Sequence, residues 1–232
     1  MSSLLLSLET SSPICSVAVH HLETGRLLGQ TELRLDKSHS SHLSVLISQL
    51  LENTLHSLAD VAAVAVSDGP GSYTGLRIGA AAAKGLCYAL DVPLLAVGTL
   101  PALARQVAGH TARPGQYHYC PMLDARRLEV YAALYRADGT EVLPPAPLLL
   151  DETTLAEQMA GQPVLFFGSG AAKFQPLVAG QPHAVFLTGI EPSAVAVGEL
   201  GLEAYQRQEF RDVAYYEPFY LKEVYTTTPK GK

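Results

Sequence analysis

The residues of this chain that could do chemistry lie in a few short stretches. Gly69-Pro70-Gly71-Ser72-Tyr73-Thr74-Gly75 is a glycine loop ahead of a helical segment. Such a loop aims backbone N–H groups and the positive end of a helix dipole outward, which makes it a generic anion site. It lacks the third glycine of G-x-G-x-x-G, and no G-K-[ST] follows, so neither the dinucleotide nor the Walker A cradle is present. A tight turn with close packing explains the same residues. His39 and His42, three apart, could meet on one helix face, but no acidic or third ligand follows as in H-E-x-x-H, so they do not read as a zinc site. Asp124-Ala125-Arg126-Arg127 could set a carboxylic acid beside two guanidinium groups, or could end a solvated hairpin with a weak ion pair. Gly168-Ser169-Gly170 follows a strand but is too short to be a G-x-S-x-G elbow.

The elements that must position these residues follow from periodicity and breakers. Val61 to Val66 is an apolar, Val-rich run, as expected of a strand buried on both faces. Ser72 or Thr74 can cap the helix that begins near Thr74 and runs to Leu90, where Asp91-Val92-Pro93 stops it. Only Arg77 and Lys84 are charged in that helix, so it needs two apolar neighbours. The spacing puts Ala80, Lys84 and Cys87 away from the sheet and Ile78, Ala82, Leu86 and Ala89 towards it. Before it lie strands at Leu4–Leu8, Ile14–His21 and Arg26–Leu35. An amphipathic helix follows at Ser41–Leu55, carrying the stripe Leu43, Leu46, Ile47, Leu50, Leu51, with Ser38, Ser40 or Ser41 as its cap. His20 and His21 point to opposite faces of their strand and read as partly exposed edge residues. Pro93–Val97 is a strand and Thr99–Ala108 a helix, giving βββαβαβα and a mixed sheet with right-handed crossovers.

The second half partly repeats that order. Tyr117–Leu123 and Leu128–Arg136 read as strands, and Asp138-Gly139 as a hairpin turn. Pro144, Pro145 and Pro147 read as a stiff extended connector. Thr153–Ala160, Val164–Phe167 and Ala171–Val178 read as helix, strand and helix. Ser193–Gln206 is a last helix that could pack back on the first half, and an aromatic tail begins at about residue 213, with Tyr215 to Tyr220 anchored by burial. Two lobes are expected, 1–100 and 101–232.

Composition narrows the function. The chain has 232 residues, 48% of them hydrophobic, with a formal net charge of −6. Disorder and a broad basic surface for nucleic acid are both disfavoured. The three cysteines, Cys15, Cys87 and Cys120, are an odd number at wide spacings in apolar runs, which points to free thiols in a reducing compartment. No signal peptide and no apolar run of ~18 residues is recognisable, so the expected location is the cytoplasm.

Ser67 to Gly79, S-D-G-P-G-S-Y-T-G-L-R-I-G, followed by Ala83-Lys84-Gly85-Leu86, resembles the signature of the TsaB (YeaZ) family. Leu4-Leu-Leu-Ser-Leu-Glu-Thr-Ser-Ser, Asp124-Ala-Arg-Arg-Leu-Glu-Val-Tyr and Glu217-Pro-Phe-Tyr-Leu-Lys fall in the order expected of that family, so the resemblance spans the chain. It implies an α/β actin/Hsp70/sugar-kinase-like (ASKHA) fold, two small lobes each with a mixed β-sheet and packed helices. In that superfamily the first turn touches metal-bound phosphate. Here Glu9, Thr10 and Ser11 match only in part, since the usual aspartate-glycine is absent. With Arg77 and Asp124 they are the expected nucleotide or phosphate contacts.

The resemblance also implies a pathway and partners. TsaB proteins pair with a catalytic paralogue, TsaD, and an ATPase, TsaE, to threonylcarbamoylate adenosine 37 of tRNAs reading A-starting codons. The H-x-x-x-H metal pair of TsaD falls here on Thr99 and Leu103, which cannot bind a metal that way. A non-catalytic scaffold is therefore expected, with no catalytic residue, no metal and no cofactor of its own. A nucleotide, if one binds, belongs at the partner interface. That interface is expected at His39, Leu43, Leu46, Tyr73, Leu76, Ala80, Lys84 and Cys87, shared with TsaD or, for the chain alone, with a second copy. Contact with tRNA comes only through the complex, and no membrane is involved. The alternative is a free-standing ASKHA-type ATPase or kinase, should Glu9, Asp68 and Asp124 converge, or a peptidase.

Overall fold

Alternation along one strand decides the layering. In β1 (Leu4–Glu9) every side chain is buried, as befits the middle of a covered sheet. Leu4, Leu6 and Leu8 pack with Val64 and Val66 against Leu43, Leu50, Ala80 and Ala83 on one side. Leu5 packs with Ala63, Ala65 and Leu95 against Val197 and Ala204 on the other. The structure is a computed structural model that describes residues 3–34 and 39–222. Leu35, where the third strand was expected to end, and Ser38, one candidate cap, lie outside the described residues.

The elements are β1, β2 (Ile14–His21), β3 (Leu27–Arg34), α1 (His39–Asn53), β4 (Val61–Gly69), α2 (Tyr73–Leu90), β5 (Leu94–Gly98), α3 (Thr99–Gly109), β6 (His118–Asp124), β7 (Glu129–Tyr135), β8 (Glu141–Leu149), α4 (Ala156–Gly161), β9 (Val164–Phe167), α5 (Ala171–Phe174), β10 (Ala184–Phe186) and α6 (Ala194–Gln206). The first sheet has order β3-β2-β1-β4-β5, with β1, β4 and β5 parallel and β2 and β3 antiparallel to their neighbours. The second has order β10-β9-β6-β7-β8, with the same pattern of directions. Read from the other edge it repeats the first, strand for strand. This is the expected two-lobed ASKHA architecture.

Two helices join the lobes. Leu100, Leu103 and Val107 of α3 pack against Tyr119, Leu123 and Phe167 of the second sheet. α6 returns to the first sheet, as its sequence suggested. Gly198 and Gly201 permit this approach: a Cβ at Gly198 would strike the His20 ring, and one at Gly201 would sit 2.9 Å from Ala65 Cβ. An ion pair from Arg105 to Glu203 ties α3 to α6.

Several expectations are corrected. His20 is 1% exposed, because β2 is an interior strand and α6 covers it. The run with Pro144, Pro145 and Pro147 is β8, an edge strand, where a missing N–H costs no ladder bond on the open side. The helix expected from Thr153 starts at Ala156, because Asp151 Oδ1 takes the N–H groups of Thr153 and Thr154 at 2.8 Å and holds a turn there. The expected helix at Ala171–Val178 is α5 followed by a 3₁₀ turn, Gln175–Val178.

The phase of α2 is the largest correction. Gly75, Leu76, Gly79, Ala80, Ala83 and Cys87 are its buried stripe, while Thr74, Arg77, Ala81, Gly85, Tyr88 and Ala89 are exposed. Ala80 and Cys87 therefore face the chain's own core, the reverse of the expected orientation. In a helix this rich in alanine the hydrophobic contrast between faces is too small to set the phase. A matched pair of variants checks the phase. Ala80→Arg should bury an unpaired charge and lower Tm by roughly 6 °C or more, whereas Ala81→Arg, one residue on, should leave it within about 2 °C by differential scanning calorimetry.

Candidate functional site

The turn between β1 and β2 packs directly against the loop between β4 and α2. Ser72 caps α2, its Oγ accepting from Gly75 N at 3.2 Å. Its own N–H donates to Ser11 O at 2.7 Å. Thr10 N donates to Ser67 Oγ at 3.3 Å. Three glycines make this contact possible. A Cβ on Gly71 would lie 2.5 Å from Ser11 O, and Cβ atoms on Gly75 and Gly79 would collide with the Thr10 carbonyl and Thr10 Oγ1. The loop's glycines thus serve close packing against the first turn.

Glu9, Thr10 and Ser11 are sealed in consequence, with Glu9 and Thr10 wholly buried and Ser11 4% exposed. Burial pushes the Glu9 carboxyl up to about 7, against the pull of its bonds with Ser11 and Ser67. Its Oε2, Thr10 Oγ1 and Ser11 Oγ have no partner among the described residues.

The other expected contacts take partners of their own. Arg77 donates to Tyr73 Oη at 2.6 Å and lies over that ring, 5.4 Å from its centroid. Asp68 is pushed up by burial, although Tyr216 Oη donates to its Oδ1 at 2.9 Å. Asp124 accepts from Lys173 Nζ at 2.6 Å and from Arg126 N at 2.7 Å. Burial acts to raise the Asp124 pKa, but the Lys173 and Arg126 bonds outweigh it and the net shift is downward. Glu9, Asp68 and Asp124 are thus engaged separately. Thr99 and Leu103 are both fully buried, and the described residues contain no group of three His, Cys, Asp or Glu side chains placed to hold a metal ion.

Of the expected interface residues, Leu43, Leu46, Leu76, Ala80 and Cys87 are core. His39 is buried as well, its Nε2 3.2 Å from Ile14 O. Lys84 donates to Ala214 O at 3.1 Å and Tyr216 O at 3.0 Å, clamping the tail. Tyr73 is 38% exposed, and its ring meets that of Tyr220 at a 45° tilt with centroids 5.1 Å apart. The tail continues across the loop, with Phe219 N donating to Asp68 O at 2.8 Å and Lys222 pairing with Glu129 of β7 at 2.6 Å. It lines an open cleft of about 840 Å³ with Asp68 and Tyr73.

What remains open on the first lobe is a groove of about 690 Å³ between α1 and α2, floored by Ile47, Leu51, Ala81, Ala82, Gly85 and Leu86. The sequence reading expected the partner contact on these two helices and did not name Ala81 or Gly85, which line this groove. Their i, i+4 spacing of small residues was the available signal, and only the phase of α2 gives it meaning.

A family model described as TsaD, tRNA N6-adenosine threonylcarbamoyltransferase, matches residues 33–222. The tRNA threonylcarbamoyladenosine biosynthesis protein TsaB of Haemophilus influenzae is 29% identical over 231 residues, 94% of this chain and 93% of that one. The Bacillus subtilis protein of the same name is 29% identical over 177 residues, 75% of this chain and 74% of its own length. The solved structure of YeaZ from Pseudomonas aeruginosa matches with a TM-score of 0.81 at 28% identity, covering 94% of this chain and all of that one. The chain belongs to this family, on its TsaB (YeaZ) branch. In this TsaB-family chain Glu9 and Thr10 of the first turn are wholly buried.

That seal has a signature in pH. Glu9 titrates at its ordinary value of 4.5 when unfolded and at about 7 when folded, so the folded state binds the extra proton. Stability should fall as pH rises from about 4.5 through 7. Glu9→Gln removes that dependence. Urea melts at pH 8 should find the variant more stable by on the order of 3 kcal/mol, with the gap closing towards pH 5. Tyr216→Phe, which strips Asp68 of its donor, should cost about 1 to 3 kcal/mol in the same melts.

Proposed function

We propose that this chain is a non-catalytic scaffold subunit in the threonylcarbamoylation of adenosine 37 in tRNAs reading A-starting codons. It acts by docking its α1–α2 face on the catalytic paralogue TsaD, together with the ATPase TsaE, and pairs with a second copy of itself when alone. The observation that carries this reading is the apolar groove between α1 and α2, whose small residues Ala81, Ala82 and Gly85 let another helix come close. The family supports the pathway, through relatives named for tRNA threonylcarbamoyladenosine biosynthesis.

The sealed Glu9 turn supports the non-catalytic part, since no phosphate could reach it. On this reading the chain needs no cofactor, and any nucleotide would sit at the joint with TsaD. The acidic balance of the chain, −6 overall, leaves phosphate contacts with tRNA to the partners. The described residues hold no helix long and apolar enough to cross a membrane, and a tRNA-modifying role places the chain in the cytoplasm.

Gly85→Arg is the test. A Cβ there meets nothing within 4 Å in the described residues, and residue 85 is exposed; the change favours the helix, so the monomer's melting temperature should hold or rise. Calorimetric titration with TsaD should show binding weakened by about 30- to 1,000-fold, as at an interface hot spot. Unaltered binding, or steady ATP turnover by the isolated chain that is lost on Glu9→Ala, would overturn the reading.

A further inference from the structure

Two bare tyrosines stand on the outer side of α2. Tyr88 and Tyr215 are each 86% exposed, more open than any other aromatic ring among the described residues. Residues three and four apart on a helix are neighbours, so Tyr88 lies one turn beyond both Lys84 and Gly85. Lys84 Nζ donates to Ala214 O at 3.1 Å and Tyr216 O at 3.0 Å, the residues on either side of Tyr215. Tyr216 turns inward to Asp68, and Tyr215 turns out. At about 100° per residue, Gly85 and Lys84 fall on opposite sides of the ridge made by Ala81 and Tyr88. On the Gly85 side the ridge drops into the α1–α2 groove, which Ala81 and Gly85 line. On the Lys84 side it meets the tail strap. Groove, ridge and strap therefore form one continuous face.

Charge decides what can cover that face. Glu52 is the acid that lines the groove, and the cations of α2 are Arg77 and Lys84, the second of them turned onto the strap. α1 and α2 each join strands that run in the same direction in the first sheet, so the two helices are parallel. Glu52, in the last turn of α1, and Arg77, near the start of α2, then lie at opposite ends of the face. A two-fold axis that bisects the line between them brings each Glu52 to the other copy's Arg77. Opposite charges meet twice, and the surface between them is small, aliphatic and aromatic, so a copy of the same face is not repelled although the chain carries −6. Tyrosine suits the contact, since its ring brings a large apolar area with a polar tip. We propose, on the docking role given to the α1–α2 groove above, that the face from the groove across α2 to the tail strap is where a second copy of this chain docks, with Tyr88 and Tyr215 as anchoring rings and Glu52 set against the partner's Arg77.

Sedimentation equilibrium of the full chain is the experiment. Tyr88→Ala and Tyr215→Ala should each weaken the dimer by at least about tenfold. Both should melt within about 2 °C of the unaltered chain, because the side chains are exposed, so lost pairing is separated from lost folding. Glu52→Arg and Arg77→Glu should each weaken the dimer, and Glu52→Arg/Arg77→Glu together should restore it to within about threefold. Gly85→Arg tells the ridge and strap from the groove. A dimer lost in Gly85→Arg but indifferent to both tyrosines would confine docking to the groove and overturn the part given to Tyr88 and Tyr215, leaving the groove's role intact. A dimer indifferent to Gly85→Arg as well would overturn both. A chain that stays monomeric at about 100 μM, or a charge exchange that fails to rescue pairing, would rule out the second copy as occupant.

Discussion

The contact on which the rest of this structure depends is the approach of the α2 N-terminus to the turn between β1 and β2. Gly71, Gly75 and Gly79 lie so near Thr10 and Ser11 that a methyl group at any of them would force the two segments apart. The contact fixes the rotation of α2 on the sheet, because the glycine row must face the turn. Ala80, Ala83 and Cys87 then follow into the core, and Ala81 and Gly85 are left on the outside. It also removes Glu9 from water, which is why that carboxyl titrates so high. One packing decision thus buries the Glu9 turn and leaves Ala81 and Gly85 on the open side of α2.

The two lobes share a strand order but have met different fates. The first sheet is covered on both sides, by α1 and α2 on one and by α6 and α3 on the other. The second carries short helices, α4 and α5, and ends in the proline-bearing edge strand β8. At its β6–β7 turn Arg126 and Arg127 have left-handed backbone and form no ion pair among the described residues. The tail links the lobes, clamped by Lys84 on the first and by Glu129 on the second. That strap covers the glycine loop from the far side, with the Phe219 carbonyl set against Gly69.

A division of labour follows from these placements. Buried polar groups are concentrated in the first lobe, where Glu9, Thr10, Ser16, His20 and Ser67 are at most 1% exposed. They cost desolvation and, with the turn sealed, serve packing and position. The apolar surface that could serve association lies elsewhere, on α1 and α2.

Much of this was legible in the residues themselves. The runs of β-branched and leucine residues, the prolines after helices and the Ser72 cap set the order of elements, because those signals are local and each acts within a few positions. The family could be read from Ser67 to Gly79, a stretch whose glycines are each required by a separate close contact. The sequence could not set the phase of α2. Ala80 and Ala81 are chemically alike, and only the meeting of Gly75 and Gly79 with a turn some sixty-five residues earlier distinguishes inside from outside. Nor could it show that Lys84 would clamp residues 130 and 132 positions away, or that His20 would lie under Gly198. Those outcomes depend on which surfaces meet after the sheet has formed, and tertiary packing alone decides them.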